Sequence, residues 1–95
     1  MIREDIKVEV ISPLLVDIKT ENNEFSINTH DLYFATNAKI KMSALDDIEK
    51  SKIVEITRYQ VSESGRVIIE MKRKFGFSIE KFVNVMIFII EKYKL

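Results

Sequence analysis

Cysteine is absent from these 95 residues, which excludes disulfides, thiolate nucleophiles and zinc–thiolate sites together. Glycine occurs twice, proline once and histidine once. So little glycine leaves a phosphate-cradling loop nothing to bend on, and a single histidine removes most transition-metal chemistry. Neither charge is in excess: Lys+Arg and Asp+Glu both count 15, so no global field draws the chain toward nucleic acid or an anionic membrane. Long apolar runs are missing too. The longest, from Phe82 to Ile90, is broken by Asn84 and falls well short of the ~20 residues needed to cross a bilayer. The opening Met-Ile-Arg-Glu-Asp places acids where a signal peptide needs a basic and then an apolar region. These absences predict a soluble, intracellular and cytoplasmic protein.

What is present fits one globular α+β domain over residues 1–95, since 46% hydrophobic and 32% charged residues exclude disorder. The balanced charge conceals a gradient. Residues 1–35 carry Arg3, Lys7 and Lys19 against seven acids, whereas residues 36–95 carry twelve bases against eight acids. A polarised molecule orients a second copy or guides an acidic partner.

Ile6, Val8 and Val10 alternate with Lys7 and Glu9, the period of a half-buried strand. Ser12-Pro13 breaks this run, and Leu14, Val16 and Ile18 continue the alternation beyond it, predicting a hairpin. Glu21-Asn22-Asn23-Glu24 reads as a turn, because Asn tolerates left-handed backbone. Phe25 and Ile27 start a third strand, and Leu32–Phe34 and Ala38–Met42 are strand-like. Ser43-Ala44-Leu45-Asp46 has capping-box character and predicts a short helix near 44–51. A second hairpin joins 53–61 to 66–75 through Ser62-Glu63-Ser64-Gly65, with Gly where a left-handed residue is wanted. Val54, Ile56, Val67, Ile69, Met71 and Phe75 take its inner face, against Glu55, Thr57 and Tyr59.

A long helix over 78–94 starts at Ser78, with Phe77 and Phe82 spaced as a hydrophobic staple. At 100° per residue from Ile79, the residues Phe82, Val83, Met86, Ile89, Ile90 and Tyr93 form one arc. Phe88 falls about 180° away, amid Glu80, Lys81, Asn84, Glu91 and Lys92, with Val85 beside it. Covering a sheet needs an apolar stripe of only ~100° or a little more, whereas this arc spans about 200°. The surplus predicts a second packing surface of Phe88, Val85, Asn84 and Lys81, and a homodimer through this helix.

No reactive constellation accompanies it. His30-Asp31 would point to opposite strand faces, so neither orients the other. Asp46-Asp47-Glu49 lacks the glycine that lets a cation loop turn, and acids there suit the positive end of the helix dipole. No catalytic residue, metal ligand or cofactor is expected. The one basic run, Lys72-Arg73-Lys74, joins Arg58 and Arg66 as a candidate nucleic-acid contact, with Tyr59 as a stacking face. The hairpin leading into a helix, Arg66–Lys74 then Ser78–Lys94, resembles single-strand-binding coactivator folds. The element order resembles small phage transcription regulators with a double-wing sheet. Both are likenesses of architecture. No signature residue carries over, and the coactivators' long basic loop has no room between Lys74 and Ser78.

The expectation is therefore an antiparallel sheet of about five or six strands with the long C-terminal helix on one face. Its inner face takes Val8, Val10, Val16, Ile18, Ile27, Val54, Ile56, Val67, Ile69 and Met71. Functionally, the chain reads as a non-enzymatic protein-interaction module. The alternative is a small nucleic-acid-binding regulator, of phage or mobile-element type, using the basic 58–74 hairpin.

Overall fold

A computed structural model describes residues 4–95. Six strands form one open antiparallel sheet: β1 (Lys7–Ser12), β2 (Leu15–Lys19), β3 (Glu24–Asn28), β4 (Tyr33–Thr36), β5 (Val54–Val61) and β6 (Val67–Arg73). The helices are α1 (Met42–Lys50), between β4 and β5, and α2 (Ile79–Tyr93), after β6. The order β1-β2-β3-β4-β6-β5 makes the first four strands a meander. The chain then leaves the sheet through α1 and returns as an outer hairpin, whose second strand inserts beside β4.

Register explains the core. Val16, Ile27, Phe34 and Ile69 stand in one row across β2, β3, β4 and β6, and Ile18, Phe25, Thr36 and Val67 in the next. All eight are buried on the face that both helices cover, with Phe82, Met86, Ile89 and Ile90 from α2 and Ala44, Leu45 and Ile48 from α1. Ser78 caps α2 by accepting from the Lys81 amide at 3.2 Å. Phe77 packs on Phe82 at 6.2 Å between ring centroids, and Phe82 on Phe34 at 6.4 Å. Cap and staple thus fix both where α2 begins and how it is rotated. Buried Thr36 is satisfied locally, its hydroxyl accepting from the Ala38 amide at 3.0 Å.

Several expectations need correction. Val8 and Val10 do lie in register with Ile18 and Val16, yet they are 45% and 73% exposed. β1 is an edge strand that the helices do not reach. Phe75 is fully exposed because the last strand ends at Arg73 and the chain turns at Gly76, whose φ of 86° favours glycine. The 38–42 segment is not a strand: α1 begins at Met42, and its N-cap is Lys41 with no side-chain cap bond. Asp46 and Asp47 therefore sit beyond the first turn. Tyr59 lies on the helix-covered side, because a register shift between Ile56 and Arg58 turns the rest of β5 over. Tyr59 then pairs with Ile69 and Val61 with Val67, while Arg58 joins Glu70 on the open side.

Candidate functional site

The rotation that buries Phe82, Met86, Ile89 and Ile90 leaves Phe88 no route inward. At 100° per residue it lies about 200° from both Met86 and Ile90. Phe88 is accordingly 56% exposed. Half-buried Val85 sits at the seam with α1. Together with Asn84, Lys92, the α1 residues Asp47 and Lys50 and the C-cap Ser51, these two side chains line a shallow groove of about 430 Å³. Of the side chains singled out in the sequence, Phe88, Val85 and Asn84 meet here. Lys81 stands at the N-terminal end of the same face, seven residues or about 10 Å along the axis from Phe88. Its amine donates to the Gly76 carbonyl at 3.1 Å.

One wall of the groove is held by a polar clamp between the helices. Lys92 Nζ donates to Asp47 Oδ2 at 2.7 Å, and the Tyr93 hydroxyl donates to the same oxygen at 2.6 Å. These two hydrogen bonds hold the Asp47 carboxyl below its ordinary range, and the bond to Asp47 raises Lys92. The Lys92 ammonium also lies 5.8 Å from the centre of the Phe88 ring and 5.4 Å from that of Tyr93. The exposed ring is thus presented against a pinned helix pair. The sequence points Asp47 only toward the helix dipole and gives no sign of this clamp, since a contact 45 residues apart leaves no local pattern.

The basic residues are not gathered. Arg58 faces the open side of the sheet and pairs with Glu70 at 3.5 Å, whereas Tyr59 faces the helix side. Arg66 stands at the far end of β6, lining a surface hollow with the Thr20–Glu24 turn and Asn37. Lys72 lies opposite Glu55, and Lys74 follows the strand's other end, its amide donating to the Ile53 carbonyl at 2.9 Å. Eight residues of extended chain separate Arg66 from Lys74 by about 26 Å. Arg73 is occupied within the fold. Its guanidinium donates to the Thr29 and His30 carbonyls and lies 5.2 Å over the Phe77 ring. Its place in register with Val67, Ile69 and Met71 is the sequence signal for that role.

Asn28 Oδ1 accepts from the amides of both His30 and Asp31, so that pair closes a turn. Among the described residues no group of acids and histidine is arranged to hold a metal ion, and no helix is long and apolar enough to cross a membrane. No family model, curated protein or solved structure matches the chain.

Proposed function

We propose that this chain is a non-enzymatic protein-interaction module that self-associates through the outward face of α2. The observation that carries the reading is the 56% exposure of Phe88 beside half-buried Val85, over a groove between two pinned helices. Burying the exposed part of one Phe ring is worth about 0.8–1.7 kcal/mol. A two-fold contact buries two such rings, or about 1.7–3.4 kcal/mol, which changes a dimerisation constant roughly 20- to 300-fold. Asn84 and Lys81 extend the face as a polar margin. The scattered placement of Arg58, Tyr59, Arg66, Lys72 and Lys74 favours a protein partner over a nucleic acid.

The test is the light-scattering mass of the Phe88→Asp variant at low micromolar concentration. A fall from two chains to one, with unchanged far-UV circular dichroism, supports the reading. An unchanged mass overturns it. Binding of single- or double-stranded nucleic acid at low salt, lost steeply as salt rises, would favour the regulator instead.

A further inference from the structure

The two edges of the sheet are not equivalent. β5 is interrupted by the shift between Ile56 and Arg58, a feature that discourages pairing with another chain. β1 is regular from Lys7 to Val10, with its shift only beyond that point. It also exposes Val8 and Val10 on one face, and exposed Ile11 and Leu14 follow. An apolar edge with free backbone donors and acceptors is a template for one more strand.

The charges on β1 select that strand. Lys7 stands directly opposite Lys19, a like-charge pair, and Glu9 directly opposite Asp17, another. The only ion pair these four make among the described residues is Lys19 to Glu9, at 3.5 Å. If a second copy of β1 pairs antiparallel about a two-fold axis, residues of like facing must meet. Centring the axis on Lys7 or on Glu9 sets like charges against each other, and centring it on Val10 leaves both charges without an opposite. Centring it on Val8 sets Lys7 against Glu9 twice, Val8 against Val8, and Ile6 against Val10. From Ile6 to Val10 every facing pair is then either opposite in charge or apolar, and beyond them Ile11 falls opposite Asp5.

We infer that β1 joins the β1 of a second copy in this register, making one continuous twelve-stranded sheet. The pairing is short and lies at the weak end of interface sizes, so it forms at higher concentration than the α2 contact. It uses a different surface from that contact and does not rest on it. Where both operate, two two-fold interfaces on one chain link copies into a line.

The absence of cysteine supplies the experiment, performed in the Phe88→Asp background so that the α2 face plays no part. Val8→Cys puts one thiol opposite its own copy, with Cβ atoms about 4.5–5.5 Å apart before adjustment, close to what a disulfide needs. Val10→Cys, at a more exposed position, puts its two thiols about 13 Å apart along the strands. At high protein concentration and mild oxidation, Val8→Cys is expected to become a covalent dimer at least tenfold faster than Val10→Cys. Adding Lys7→Glu or Glu9→Lys alone should abolish that preference, and adding both should restore it. Equal rates for the two positions, no dimer from Val8→Cys, or indifference to the charge reversals would each overturn the register. None of these outcomes alters the mass change that judges the α2 face.

Discussion

Replacing Phe82 and Phe88 by alanine, one at a time, compares two rings six residues apart whose surroundings differ completely. Phe82 is fully buried and packs against Phe34 and Phe77. Truncating such a ring costs about 3–5 kcal/mol through lost transfer energy and the cavity left behind. A chain of this length holds about 5–14 kcal/mol in all, so Phe82→Ala removes a large share of it. The melting temperature should fall by more than about 12 °C. Phe88 has already left 56% of its surface in water, so truncation forfeits only about 0.7–1.3 kcal/mol within one chain. The better helix propensity of alanine returns part of that. Urea unfolding followed by far-UV circular dichroism, at concentrations too low for association, should place the two variants at least about 2 kcal/mol apart. Equal losses would mean that Phe88 is core and that the outward face of α2 does not exist.

Three further outcomes follow from the side chains described. Asp47 has its folded pKa lowered by Lys92 and Tyr93, so it adds stability above its ordinary value of 3.8, lost as pH falls through the folded value. The stability gap between the parent protein and Asp47→Asn should accordingly be open at neutral pH and close in acid melts below about 3.8, and a constant gap would contradict the clamp. Asp17 is buried, and its Oδ1 has no hydrogen-bond partner among the described residues, so Asp17→Thr should raise stability by about 1 kcal/mol in urea unfolding, and a loss of that size would show the carboxylate to be satisfied. Gly76→Ala should cost about 1 kcal/mol purely through its φ of 86°, since no atom of the described residues lies within 4 Å of the added methyl; a neutral result would contradict that turn.

Features set by neighbours in the chain are legible in the amino-acid sequence. Ser78, Phe77 and Phe82 announce where α2 begins, and Gly65 marks the turn of the second hairpin. The outward position of Phe88 follows from helical periodicity alone. What escapes depends on which elements meet. The alternation of Val8 and Val10 correctly gives their face, but not that β1 lies at an edge beyond the helices. A strand's period also cannot reveal a bulge, so it places Tyr59 opposite the core residues. Phe25 and Phe34, outside the expected inner face, are among the most buried side chains because strands three and four lie in the middle of the sheet, and Leu32, in the turn between them, is buried too. The 38–42 segment misleads because Lys39, Ile40 and Lys41 alternate as a strand does. In the protein Ala38 and Ile40 instead pack the connection into α1 against the core.

The claim on which the functional account stands is that α2 has an apolar face suited to another copy of the chain. The most direct measurement is the light-scattering mass of the unmodified protein through a dilution series. Two or more chains per particle are expected at the concentrated end, falling to one on dilution. A single-chain mass at every concentration would contradict it.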